Sequence, residues 1–188
     1  MIKRLDTMSR EELEKAAGLN RGKKALVIVH PYWERGNPEF DRFISGGRYE
    51  NYITVVLEYH RDISKLRERL FKVGATETNS LFIVGTKSGM PDPTKGWQKL
   101  IGRLEAIGAR NVIVSGRDIE KCEMKRIIRE IERERKLRDK NNNRLSKLRA
   151  IKGVSGKNPG YAACAGITFS KLKASKRFER VKLSRHFR

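Results

Sequence analysis

Apolar positions along the chain fall into segments of two kinds. Residues 25–29 form a continuous run rich in β-branched side chains that stops at His30, as expected of a strand buried on both faces. Residues 80–84 form a run of the same kind that ends at Gly85, and residues 112–114 form a shorter one that ends at Ser115 and Gly116. The pattern therefore predicts three buried strands.

Other segments have helical spacing. Ser9 and Glu12 form a capping-box pattern that starts a short N-terminal helix. Apolar residues at helical spacing predict another helix that ends near Gly108. A third set recurs at steps of three and four and predicts a single helix that ends near Gly74: Tyr52, Val55, Val56, Tyr59, Ile63, Leu66 and Leu70.

The alternation of strands and helices predicts an α/β fold. Each helix must pack back onto the sheet that its flanking strands build, which favours parallel strands. We expect a Rossmann-like three-layer core with a small parallel sheet in residues 1–119, with a fourth strand around residues 161–169. Residues 120–188 are expected to form a basic helical extension, a Gly-rich loop and a basic tail from Ser170 that becomes ordered on a partner.

Residues 32–51 form a connection that is longer than an ordinary loop. Arginines and aromatic residues are interleaved within it, which suits contact with nucleic-acid bases and phosphates. Alternatively, Phe40 and Phe43 fix this connection to the core.

Positive charge is in large excess and unevenly distributed. The formal net charge is +21, and residues 120–188 contain 22 Lys and Arg against 7 Asp and Glu. Such an excess raises the local concentration of polyanions around the molecule. Nucleic acid is the commonest polyanion in cells, so it is the expected partner.

Composition also bounds the class of protein. The N-terminal residues lack the apolar stretch of a signal peptide, and no apolar run reaches membrane-spanning length, so we expect a soluble, cytoplasmic protein without a membrane partner. Abundant Lys, Arg and Glu with a single glutamine, Gln98, is typical of a thermophilic source. No Cys and His spacing indicates a metal site, and no motif indicates a cofactor.

The leading hypothesis is a nucleic-acid-binding protein that contacts phosphates rather than bases. RNA is favoured over DNA because no helix-turn-helix or basic zipper is present, whereas flexible arginine-rich segments often fold on RNA. The expected contacts are Arg133, Arg135, Lys136, Arg138, Lys140, Arg144, Lys147, Arg149, Lys157, Lys171, Lys173, Lys176 and Arg177. A homo-oligomer is also conceivable, through one apolar helix face formed by Met124, Ile127, Ile128 and Ile131.

A second hypothesis is an enzyme, hydrolase or nuclease-like, that acts on a phosphorylated substrate at the carboxyl edge of the sheet. Ligands of open parallel sheets bind at this edge, and the residues expected to bind an anion there are Thr86, Lys87, Ser88, Ser115 and Arg117. The catalytic candidates are His30, Lys87 and Arg117, although the sequence places no carboxylate beside His30 to orient its ring. A third hypothesis is a basic structural component of a ribonucleoprotein or viral particle.

Overall fold

The computed structural model describes residues 2–31, 37–86, 95–116 and 159–184. Within these ranges the strands are β1 (Lys3–Arg4), β2 (Lys24–Val29), β3 (Tyr52–Tyr59), β4 (Leu81–Thr86), β5 (Asn111–Gly116) and β6 (Arg180–Ser184). The helices are α1 (Arg10–Leu19), α2 (Pro38–Ser45), α3 (Ile63–Lys72), α4 (Lys95–Ala106) and α5 (Pro159–Ala174). Short 3-10 turns lie at Leu5–Thr7, Arg48–Asn51 and His60–Asp62.

All six strands belong to one sheet and run parallel, which confirms the predicted α/β class. Their order is β1-β4-β3-β2-β5-β6, so the chain builds outward from β2 to one side and then returns to build the other side. The sheet is therefore larger than the small sheet predicted, because β1, β3 and β6 were not expected as strands.

Helices cover both faces of the sheet. On one face α1, α4 and α5 bury a cluster that includes Trp97, Leu104 and Phe169. On the other face α2 and α3 bury a second cluster that includes Phe40 and Leu66. Because successive strand residues point to opposite faces, the central strands contribute to both clusters and need apolar residues throughout.

The N-terminal helix begins as predicted. The Ser9 side chain accepts a hydrogen bond from the backbone N–H of Glu12, and the Glu12 carboxylate accepts one from the backbone N–H of Ser9. Such a cap typically contributes about 1 kcal/mol. The cap sets the start of the helix so that Leu13 and Ala16 point into the larger of the two clusters, which lies under α1, α4 and α5.

The single helix predicted from Tyr52 to Leu70 is wrong. Residues Tyr52–Tyr59 form strand β3, and the helix α3 begins only at Ile63. Val55 and Leu57 pack into one cluster while Val56 packs into the other. A strand buried on both faces is apolar at nearly every position, so residues at three- and four-residue steps are also apolar and imitate a helix.

The C-terminal region also differs from the prediction. The fourth strand expected at residues 161–169 is wrong, because these residues lie in helix α5. The prediction of a basic tail is wrong for Arg180–Ser184, because these residues form strand β6 and pair with β5. Strand β6 therefore belongs to the core sheet, and α5 packs against the core through Phe169 and Leu172. The predicted boundary at residue 119 lies outside the described residues, as does the predicted Gly-rich loop up to residue 158.

The long connection after β2 contains helix α2. The Asn37 side chain caps it by accepting a hydrogen bond from the backbone N–H of Phe40. Phe40 and Phe43 are fully buried, so these two rings fix the connection to the core.

Candidate functional site

Three polar side chains lie at or near the carboxyl edge of the sheet. The strand order reverses at β2, between β3 on one side and β5 on the other. In open parallel sheets, ligands bind at such a reversal, beyond the carboxyl ends of the strands. His30 follows β2, Glu58 lies near the end of β3, and Ser115 lies near the end of β5.

His30 and Glu58 form a buried pair. The Nδ1 atom of His30 lies 3.0 Å from Oε1 of Glu58, and the two side chains are only 2% and 7% exposed. The backbone N–H of Tyr59 donates to the same carboxylate oxygen, also at 3.0 Å. In the tautomer with the proton on Nδ1, His30 donates to this carboxylate oxygen.

The position of His30 is also fixed by its backbone and by its ring. Its φ angle is 48°, in the left-handed region that a non-glycine residue seldom adopts. Its backbone N–H donates to the carbonyl of Leu57 at 3.0 Å. Its ring stacks on Tyr59 with the centroids 4.9 Å apart and the planes inclined by 21°. Left-handed backbone at such a residue costs on the order of 1–3 kcal/mol and persists where the surroundings determine it.

Ser115 lies on the strand at the other side of β2. It pairs with Ile28, whose side chain belongs to the cluster under α2 and α3. Paired residues of neighbouring parallel strands point to the same face, so Ser115 points to this face, as does Glu58 two residues after Val56. The Ser115 hydroxyl is buried and has no hydrogen-bond partner among the described residues. Buried hydroxyls almost always have a hydrogen-bond partner, so Ser115 is unusual among the described residues.

Cationic side chains lie nearer to solvent at the same edge. The Arg61 guanidinium lies 5.1 Å from the centroid of the Tyr59 ring, and its side chain is 75% exposed. Arg4 lies 3.4 Å from Nδ1 of His60 and also binds Asp6. The hydrogen bond to Asp6 raises the pKa of the Arg4 guanidinium above its ordinary value. Arg61 likewise has a carboxylate neighbour, Asp62, at 3.4 Å, so these surface charges are largely balanced locally.

The residues predicted to bind an anion are only partly brought together. Thr86 is buried at the end of β4, and its hydroxyl donates to the backbone carbonyl of Glu58 at 3.2 Å. This hydrogen bond links the ends of β4 and β3. Ser115 and His30 lie at the expected edge. The predictions for Lys87, Ser88 and Arg117 fall outside the described residues.

Glu58 is the residue of the candidate site that sequence reasoning missed. The signal was present, because Glu58 is the one charged residue in an otherwise apolar run between Tyr52 and Tyr59. It was hidden because this segment was interpreted as a helix, which gave Glu58 no position relative to His30.

A second surface lies at the opposite edge of the sheet. The last turn of α5 and strand β6 present what we call the C-terminal basic surface: Lys171, Lys173, Lys176, Arg177, Arg180 and Lys182. Because Arg180 pairs with Asn111 at the start of β5, this surface begins at the amino edge. The other predicted nucleic-acid contacts lie outside the described residues: Arg133, Arg135, Lys136, Arg138, Lys140, Arg144, Lys147, Arg149 and Lys157.

Charge on the C-terminal basic surface is only partly compensated. Arg177 lies 3.9 Å from Glu105, a long ion pair between an exposed guanidinium and a partly buried carboxylate. The Lys173 ammonium lies 5.4 Å from the centroid of the Phe169 ring. Lys176, Arg180 and Lys182 are exposed and form no ion pair with any described residue.

Within the described ranges, no group of three His, Cys, Asp or Glu side chains is arranged to hold a metal ion. No helix in these ranges has the length and apolar character needed to cross a membrane.

No protein-family model matches the chain, and neither a curated protein nor a solved structure matches it significantly.

Proposed function

We propose that the protein binds nucleic acid, RNA in preference to DNA, through phosphate contacts made by the C-terminal basic surface. The observation that supports this proposal is the local excess of charge: residues 159–184 contain six Lys and Arg and one acidic residue, Glu179. Lys176, Arg180 and Lys182 are exposed and have no carboxylate partner among the described residues, so they are available to phosphates, and each such contact releases condensed counterions.

The fold suits such a role, and we propose that it is a Rossmann-like scaffold. The strand order without β1 is the doubly wound order, and helices lie on both faces. In this proposal the sheet acts as a rigid support, with β6 as the edge strand that presents Arg180 and Lys182. Contacts of this kind give affinity without choice of base sequence.

The experiment is fluorescence anisotropy with labelled single-stranded RNA and duplex DNA over a salt series. The full-length protein should bind RNA more tightly, and its affinity should fall about a thousandfold or more between about 50 and 200 mM salt if several phosphates are contacted. A triple variant, Lys176→Glu, Arg180→Glu and Lys182→Glu, should lose most of this affinity and reduce the salt slope.

The matched control is the triple variant Lys15→Glu, Arg21→Glu and Lys65→Glu. These residues are also exposed but lie on or near α1 and α3, and their replacement changes the net charge by the same amount. Equal losses for the two triple variants would mean that only net charge matters. Absence of binding to either polymer at low salt would contradict the proposal outright.

One observation favours a second function, an enzyme that acts on a phosphorylated substrate. It is the buried pair of His30 and Glu58 at the carboxyl edge. A buried carboxylate that holds an imidazole nitrogen orients the ring, which is a common arrangement in catalytic sites.

A further inference from the structure

We propose that a single strand of RNA crosses the amino edge of the sheet from β6 over β5 to β2, where Lys24 binds one of its phosphates. This inference rests on the proposed RNA binding by the C-terminal basic surface. It adds the route of the strand, a binding residue outside that surface, and an acidic residue, Glu179, that limits the affinity.

A row of side chains across three neighbouring strands defines the route. Asn111 at the start of β5 pairs with Arg180 at the start of β6. In the register that pairs Ala25 with Val112, Lys24 lies beside Asn111 on the other side. Paired residues of neighbouring strands point to the same face, so Lys24, Asn111 and Arg180 form one row. Neighbouring strands are about 4.8 Å apart, which separates the backbones of Lys24 and Arg180 by roughly 10 Å.

This row lies on the sheet face that α2 and α3 cover, at the place where their cover ends. One step further along the strands, Ile113 of β5 lies between Leu26 of β2 and Lys182 of β6. Leu26 is 1% exposed and belongs to the cluster under α2 and α3, whereas Ile113 is half-buried and Lys182 is exposed. Burial on this face therefore decreases from β2 to β6. A chain that follows the row over β5 can also reach Lys182.

The cations of the row are available to an anion. Lys24 and Arg180 are exposed, and neither forms an ion pair with a described residue. Arg110, directly before β5, is 81% exposed and lies 3.8 Å from Glu179, a long ion pair that contributes little. Positive charge thus continues from β6 across the amino edge of β5 to β2, and its complement is a chain of phosphates.

The same surface favours a single strand over a duplex. Proteins bind single-stranded nucleic acid along a positively charged track, beside side chains that contact the unpaired bases. Tyr52 pairs with Lys24 at the end of the row, and its half-buried ring lies 6.3 Å from the ring of Phe43 in α2. Ile113 is half-buried beside Lys182. Unpaired bases can contact these two side chains, whereas the bases of a duplex are already paired and stacked.

Glu179 places a carboxylate among these cations. Its backbone N–H donates to the carbonyl of Arg110 at 2.9 Å, which fixes it beside the start of β5. Its carboxylate accepts a hydrogen bond from Nδ2 of Asn111 at 3.3 Å and lies 3.8 Å from the Arg110 guanidinium. The side chain is 61% exposed, so it is held only loosely. The carboxylate therefore occupies donors that a phosphate of the bound strand takes over, and it repels that phosphate until it turns away.

The test is fluorescence anisotropy of the full-length protein with labelled single-stranded RNA, duplex RNA and polyglutamate over a salt series. Lys24→Gln should weaken the binding of single-stranded RNA. It should also reduce the slope of log affinity against log salt by about 0.7 to 1, which corresponds to the loss of one phosphate contact. Glu179→Gln should tighten the binding about two- to fivefold, the usual size of an interaction between exposed charges.

Lys65→Gln and Glu68→Gln are the matched controls. Both residues are exposed on α3, and their replacement changes the net charge by the same amounts. Glu68, like Glu179, has a basic neighbour, Lys72. Neither control should change the salt slope.

The outcomes separate this inference from the proposed function. An unchanged slope in Lys24→Gln, or equal effects of Lys24→Gln and Lys65→Gln, would overturn the route, and the RNA binding by the C-terminal basic surface would still stand. Tighter binding of duplex RNA or of polyglutamate than of single-stranded RNA would overturn the choice of a single strand. Absence of RNA binding by the wild type would contradict both the inference and the proposed function.

Discussion

Two glycines at the carboxyl edge leave room for their neighbours. A Cβ atom added to Gly85 would lie 2.6 Å from the ring of His60 and 2.8 Å from Cδ1 of Ile63. A Cβ atom added to Gly116 would lie 3.2 Å from Cβ of Ala165, because α5 packs closely on the end of β5. At the scale of single residues, the close packing at this edge therefore depends on glycine, which has no side chain, at both positions.

Gly85→Ala should therefore destabilise the protein. Ile63 is buried and has little room to move away from the added methyl group, so we expect a loss of about 1–3 kcal/mol in the free energy of unfolding. Urea unfolding measures this loss. Gly102→Ala is the matched control, since Gly102 lies in α4 with nothing near its missing Cβ atom, and alanine is favoured there by about 0.5–1 kcal/mol. Equal stability of Gly85→Ala and the wild type would show that the close approach is absent.

At the scale of elements, predictability depended on how many faces of an element are buried. Strand β2, buried on both faces but bounded by His30 and Pro31, was predicted from its apolar run. Strand β3 is equally buried, yet it runs almost directly into α3, so its apolar positions joined those of the helix. After that error the pairing of Glu58 with His30 could not be predicted. The register between two strands can be assigned only when both segments are identified as strands, and β3 was not.

Strand β6 shows the opposite difficulty. Val181 and Leu183 pack against the larger cluster, while Arg180 and Lys182 are exposed. This alternation is the period of a strand with one face exposed, but it extends over only five residues within a basic segment. Edge strands commonly contain such charges, which prevent pairing with other chains.

Phe178→Ala should reveal whether this segment is part of the core. The Phe178 ring is buried with the larger cluster just before β6 begins. Loss of a buried phenylalanine costs about 3 kcal/mol or more, so the midpoint of urea unfolding should fall clearly. Lys182→Thr, an exposed change on the same strand to a residue that favours strands, should leave the midpoint nearly unchanged. A loosely attached basic tail would give the same midpoint for both variants.

At the scale of the whole molecule, the two proposed functions occupy opposite edges of one sheet. The C-terminal basic surface begins at the amino edge, and the pair of His30 and Glu58 lies at the carboxyl edge. A six-residue strand such as β5 spans roughly 20 Å between them. Variants at one edge therefore leave the other edge in place, which is why binding and turnover can be tested separately.

The same charge excess that favours polyanions should limit stability at low salt. Like charges repel more strongly in the compact state, and a net charge of +21 makes this repulsion large compared with the exposed ion pairs among the described residues, such as Lys3 with Glu12. Raising the salt from about 0.02 to about 0.3 M shortens the screening length from roughly 20 to roughly 6 Å, so the thermal midpoint should rise by about 2–4 °C for each kcal/mol of repulsion removed. The triple variant Lys176→Glu, Arg180→Glu and Lys182→Glu has a net charge that is lower by six. Its thermal midpoint should therefore rise less with salt than that of the wild type. A midpoint that falls with salt in the wild type would instead mean that attractive surface pairs outweigh the repulsion.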